Sequence, residues 1–69
     1  MLEVFKTNVQ ETDKANDLLW LLEQNFPGNR INFDLDDCDK VLRIEGKDFC
    51  SQKIMSLVKD NGYACMLLE

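Results

Sequence analysis

The stretch Ile31-Asn32-Phe33-Asp34-Leu35-Asp36-Asp37-Cys38-Asp39-Lys40-Val41-Leu42-Arg43-Ile44-Glu45, INFDLDDCDKVLRIE, decides how this chain folds. Ile31, Phe33 and Leu35 alternate with Asn32, Asp34 and Asp36, and Leu42 and Ile44 alternate with Arg43 and Glu45. A period of two places each apolar set on one face of an extended strand. The two runs are joined through Asp37-Cys38-Asp39, residue types that favour turns because their side chains bond to nearby backbone. The stretch therefore reads as a β-hairpin with one face turned to a core.

Working outward, Ala15, Leu18, Leu19, Leu22 and Phe26 recur at helical spacing and stop at Pro27-Gly28. They predict an amphipathic helix before the hairpin. After it, Asp48 is a candidate N-cap for a second helix that carries Cys50, Ile54, Leu57 and Val58 on one side and ends at Asn61-Gly62. Glu3 to Asn8 reads as a first strand around Val4 and Phe5, with alternation too poor to assign its inward face. Ala64 to Leu68 reads as the last strand. The order is βαββαβ, which predicts a ferredoxin-like α/β sandwich over residues 1–69: a four-stranded antiparallel sheet with two helices on one face.

Composition sets the outer bounds. With 69 residues, 45% of them hydrophobic and 30% charged, the chain holds enough apolar material for one small core and too little length for two. Three cysteines at Cys38, Cys50 and Cys65 form no CxxC pair and leave an odd thiol, so the expectation is free thiols in a reducing, cytoplasmic setting. Neighbouring strands lie about 4.8 Å apart, so Cys38 and Cys65, separated by the first strand, fall beyond the roughly 7 Å Cα limit of a disulfide. Cys50 and Cys65 are expected to be buried and Cys38 exposed.

The first residues, MLEVFKTN, include no apolar signal segment, and the longest apolar run, Leu18 to Leu22, falls far short of the roughly 20 residues that span a bilayer. No membrane association is expected. A net charge of −5 with the eight basic residues scattered singly disfavours nucleic acid, whose phosphates are bound by clustered Lys and Arg. A basic protein surface remains compatible with that charge.

Chemistry is constrained by what is missing. The sequence contains no histidine, which removes Ser-His and Cys-His nucleophilic pairs, and its three glycines stand alone, which removes a phosphate-binding loop. No enzymatic activity and no cofactor are expected. Asp36, Asp37, Cys38 and Asp39 form an alternative metal site, but strand alternation sends successive side chains apart, and a calcium loop needs a permissive glycine and a distant bidentate Glu. The solvated turn is the favoured reading, with a hard-cation site as the alternative.

The helix stripe ending in Phe26-Pro27-Gly28, the pair INFDL and VLRIEG, and Asn61-Gly62-Tyr63 before the last strand resemble, over nearly the full length, the heavy-metal-associated domain family of copper and zinc chaperones. In that family the loop before the first helix carries a GMxCxxC motif whose two thiolates bind a soft metal. Counted back from Pro27-Gly28, this chain reads Val9-Gln10-Glu11-Thr12-Asp13-Lys14-Ala15 there, with Thr12 and Ala15 at the two cysteine positions. A hydroxyl and a methyl cannot replace two thiolates. The resemblance therefore implies the fold without its CxxC metal chemistry, and it aligns Tyr63 with the aromatic residue beside the family's metal loop.

Leu18-Leu19-Trp20-Leu21-Leu22 is continuous, yet a helix buries only one side. With Leu18, Leu19 and Leu22 inward, Trp20 points outward beside Asp13, Asp17 and Gln24, with Leu21 at the margin and Met55 of the second helix as an extension. Trp is the residue type most enriched at binding hot spots. The expected function is a non-enzymatic module that uses Trp20, Leu21 and Met55 to contact a protein partner or a second copy as a homodimer. The alternatives are a weak metal-binding or metal-trafficking protein using Cys38 and its neighbouring carboxylates, and a small-ligand regulatory domain of the same fold.

Overall fold

A computed structural model describes residues 1–68. The elements are β1 (Leu2–Thr7), α1 (Thr12–Asn25), β2 (Arg30–Asp34), β3 (Val41–Glu45), α2 (Ser51–Asp60) and β4 (Cys65–Leu67). The strands form one antiparallel sheet in the order β2-β3-β1-β4. Hairpin register pairs Ile31 with Ile44 and Phe33 with Leu42, so the alternating apolar residues of the two strands share a face as the sequence predicts.

On that same face, register sets Phe5 opposite Leu42, and Thr7 opposite Cys65. The core forms there: Phe5, Leu42, Ile44 and Cys65 of the sheet pack with Ala15, Leu18 and Leu22 of α1 and Ile54 and Val58 of α2. Phe26, Ile31, Phe33, Leu57 and Tyr63 close its margins. Each helix contributes residues spaced at three, four or seven positions, which stack along one side of a 3.6-residue turn.

Local chemistry fixes where the helices stop. The Phe26 N–H bonds back to the Leu22 carbonyl at 2.8 Å, and the Asn29 amide then donates to the Phe26 carbonyl at 3.0 Å, which satisfies a group the helix end leaves unpaired. Gly62, with φ +95, turns the chain out of α2 while its N–H bonds to the Lys59 carbonyl and the Tyr63 N–H to the Val58 carbonyl. A left-handed residue after the last turn is the usual way to close a helix C-terminus.

Three expectations change in detail. The second helix begins at Ser51 with Cys50, not Asp48, in the N-cap position and no side-chain cap bond. Cys50 is consequently exposed rather than buried, because the residue that precedes a helix lies outside its buried stripe. The first and last strands also sit differently by a residue or so: β1 spans Leu2–Thr7 and β4 only Cys65–Leu67. Ala64 instead caps the strand's start, its N–H bonding to the Asn8 side-chain oxygen at 2.8 Å.

Candidate functional site

Trp20 projects from the middle of α1 with 61% of its surface exposed, on the side of the helix opposite Leu18 and Leu22. At 100° per residue, Asp13, Asp17 and Glu23 fall within about 60° of it, together with Asn16 and Gln24, and no basic residue does. The indole is therefore ringed by three carboxylates and two amides, all exposed. Such a ring draws cations toward an aromatic face that itself favours them.

Leu21 lies a quarter turn away and is half-buried. It lines a depression of about 180 Å³ with Lys14, Asp17, Leu18, Asn61 and Tyr63, between α1 and the turn that follows α2. Leu21 thus borders the Trp20 surface. Met55 is half-buried against the core. On α2 it lies across the buried Ile54 and Val58 line from Leu57, which lines a shallow depression with Asn25 of α1 and Phe26 just after it. The structure brings Leu21 to the edge of the Trp20 surface and leaves Met55 on the far flank of α2.

The loop from Leu35 to Lys40 is tied down by its own groups. Asp37 Oδ1 accepts the Asp39 N–H at 2.9 Å, the Lys40 N–H bonds to the Asp37 carbonyl at 3.0 Å, and Lys40 Nζ reaches the Leu35 carbonyl at 2.9 Å. Lys40 takes a left-handed φ of +47 to close the turn. Because these six residues form a turn and not a strand, alternation does not separate the side chains as expected. One ligand atom each from Asp37, Cys38 and Asp39 lies within 4.8 Å of the others, while Asp36 stands outside the group. Lys6 Nζ sits 3.6 Å from Asp39 Oδ1 and offsets part of the local negative charge.

The three thiols are free and occupy different settings. Cys38 and Cys50 are exposed; Cys65 is buried in β4, where loss of solvation pushes its thiol up to about 11, with Lys59 pulling weakly the other way. Thr12, exposed, opens α1, and Ala15 is buried in the core.

One feature escaped the sequence reading. Outward positions of β1 and β4 carry Leu2, Val4 and Met66, with Leu68 following β4, on the sheet face away from both helices. The signal was present in the failed alternation of LEVF and in the wholly apolar run Ala64 to Leu68, since a strand apolar at consecutive positions has two apolar faces. No helix among the described residues is long and apolar enough to cross a membrane. In comparisons with known proteins, no family model matches the chain, and no curated protein or solved structure matches it.

Proposed function

We propose that this chain is a non-enzymatic, ferredoxin-like interaction module that binds a protein partner or a second copy of itself through the α1 surface around Trp20, with Leu21 at its margin. The carrying observation is a Trp with most of its surface in solvent, at the centre of a helix whose surrounding positions are acidic. Holding a large ring in water forgoes roughly 1.5–3 kcal/mol of burial, and partner binding is the process that recovers it. The strand order β2-β3-β1-β4, with a helix following β1 and another following β3, supports the ferredoxin-like reading. Beside Thr12 and Ala15 in place of two thiolates, it also supports a heavy-metal-associated ancestry from which soft-metal transfer has been lost.

The absence of histidine and the open placement of the carboxylates at Asp36, Asp37 and Asp39 support the non-enzymatic reading. Free thiols at all three cysteines support a reducing compartment, which makes the cytoplasm the proposed location. The test is Trp20→Ala, judged by partner capture or self-association with circular dichroism as the control for folding. Unaltered binding in a folded variant refutes the Trp20 surface.

A second reading rests on the proximity of Asp37, Cys38 and Asp39. One thiolate and two carboxylates make a three-ligand set for a borderline divalent ion such as zinc, with solvent completing its shell. In that reading the chain is a weak metal-binding or metal-trafficking protein. Zinc titration of the reduced protein tests it: Cys38→Ser must lower affinity, and equal binding by both proteins excludes the site.

A further inference from the structure

An open sheet has two edge strands, here β2 and β4. Edges are ordinarily blunted by shortness, a bulge or a proline, because their unpaired N–H and C=O groups template further pairing. β4 is three residues long. β2 runs five residues without a proline and keeps an unbroken register with β3.

The direction of each backbone group on β2 follows from bonds elsewhere in the sheet. The Met1 ammonium donates to the Gly46 carbonyl and the Gly46 N–H to the Met1 carbonyl, both at 2.9 Å. Bonded pairs recur at every second residue of an antiparallel ladder, so Glu3–Ile44 and Phe5–Leu42 are the bonded pairs between β1 and β3. The Leu68 N–H on the Val4 carbonyl agrees, since it turns the intervening residues of β1 toward β4. Leu42 and Ile44 thus bond to β1, which leaves Val41, Arg43 and Glu45 to bond with Asp34, Asn32 and Arg30. Ile31 and Phe33 therefore carry their N–H and C=O groups to the open side of β2.

This edge is complementary to itself. When β2 is laid antiparallel on β2 of a second copy with the two-fold axis at Asn32, Ile31 exchanges both bonds with Phe33 of the other copy, and Phe33 with its Ile31. Every free group then meets a free group. An axis at Phe33 would set Ile31 against Leu35, whose carbonyl already accepts Lys40 Nζ at 2.9 Å. An axis at Ile31 would set Phe33 against Asn29, in the bend before β2 begins.

The register that the backbone selects also places Arg30 opposite Asp34 at both ends of the seam. Arg30 forms no ion pair among the described residues, although Glu45 stands opposite it on β3. Asp34 engages Arg43 through Oδ2 alone, at 3.5 Å, and its other oxygen is open to an incoming guanidinium. A cation and an anion placed symmetrically about Asn32 favour a second copy over an unrelated strand. On the helix side Ile31 meets Phe33 of the other copy, beside a groove of about 360 Å³ that Leu19 of α1 lines with Phe33 and Leu35.

We propose that two copies of this chain join edge to edge through β2, making one eight-stranded antiparallel sheet with all four helices on the same face. This association is independent of the Trp20 surface, which stays outward on α1. Pairing consumes the β2 edge of each copy, so assembly closes at two chains. A seam of five residues from each copy is at the small end of specific interfaces, so the dimer forms only as concentration rises.

Sedimentation of the intact chain, of Arg30→Asp and of Asp34→Arg tests the register. The wild type should approach the mass of two chains as concentration rises. Each variant sets like charges opposite one another twice and should dimerise about tenfold more weakly. Their equimolar mixture should dimerise as strongly as the wild type, because each supplies the charge the other has lost. Amide exchange of the wild type needs no variant and stands if either one fails to fold: the Ile31 and Phe33 amides, open in the monomer, should become protected as the dimer forms. A wild type that stays monomeric overturns the proposal, as does a mixture no stronger than either variant alone. A dimer whose Ile31 and Phe33 amides exchange as fast as in the monomer also overturns it. Loss of the dimer in Trp20→Ala, with unchanged association of both charge variants, overturns it in favour of self-association through Trp20.

Discussion

Thr7 and Lys40, 33 residues apart, are joined by a hydrogen bond of 2.6 Å from the Thr7 hydroxyl to the Lys40 carbonyl. Thr7 is a polar side chain in a buried position. Its hydroxyl also accepts the Val9 N–H at 3.3 Å, and its own N–H bonds to the Asp39 carbonyl at 3.1 Å. One residue thus fastens the acidic loop to β1 and starts the turn toward α1. Replacing Thr7 by Val keeps the shape and leaves a carbonyl and an N–H without their partner, which should cost about 1–3 kcal/mol in urea unfolding. Thr7→Ser, which keeps the hydroxyl, should cost less; the reverse ranking would refute the role given to the bond.

A neighbouring prediction concerns the exit of α2. Gly62 holds φ +95 with open space where a Cβ would stand, so Gly62→Ala meets no clash and should lose about 1–2 kcal/mol from backbone strain alone. Asn tolerates this conformation better than Ala, and Gly62→Asn should fall between the two. Equal stability of all three proteins would mean that the turn relaxes to another conformation.

Much of the fold was legible because most elements advertise their period. Ile31, Phe33, Leu42 and Ile44 alternate cleanly and meet across the hairpin in the register that alternation demands. Leu18 and Leu22 recur at helical spacing and are buried. Exposure of Trp20 followed from the same geometry, since a helix that buries those leucines must turn the residue between them outward. The loop was less legible: alternation describes strands, and the residues after Asp34 leave the strand, so Asp37, Cys38 and Asp39 converge where a strand rule separates them. The open sheet face was missed because the poor alternation around Val4 and Phe5 left the inward face of the first strand unassigned, and Leu2 was not included in it, whereas Phe5 is buried inward and Leu2 is exposed. Cys50 was misplaced by extending the buried stripe of α2 one residue past its first turn.

The core should be intolerant of truncation in proportion to burial. Leu22 is fully buried between α1 and the sheet, and Leu22→Ala should cost about 2.7–5 kcal/mol. Typical stabilities of about 0.05–0.15 kcal/mol per residue give a chain of 69 residues about 3.5–10 kcal/mol in total, and a domain this small belongs near the lower end, where this one loss removes most of it. Circular dichroism should therefore find Leu22→Ala substantially unfolded at 25 °C, whereas Ile54→Val, at about 0.5–1.5 kcal/mol, should remain folded with a lower melting temperature. A fully folded Leu22→Ala would show that the site collapses around the deletion.

The thiols should separate by reactivity and by pH. Cys38 and Cys50, both exposed, should react with a disulfide reagent in the native protein, while Cys65 should react only as the chain unfolds. Burial raises the Cys65 thiol from 9.0 to about 11, so the folded state holds its proton more tightly than the unfolded state. Below pH 9 the group is neutral in both states and its contribution is fully present. Between pH 9 and 11 the unfolded chain ionises first, and stability falls by roughly 2–3 kcal/mol, at about 1.36 kcal/mol for each pKa unit. Cys65→Ala lacks this loss, so its unfolding free energy should decline less steeply across that window than the wild type's. Parallel pH profiles, or three thiols of equal native reactivity, would remove Cys65 from the buried site described for it.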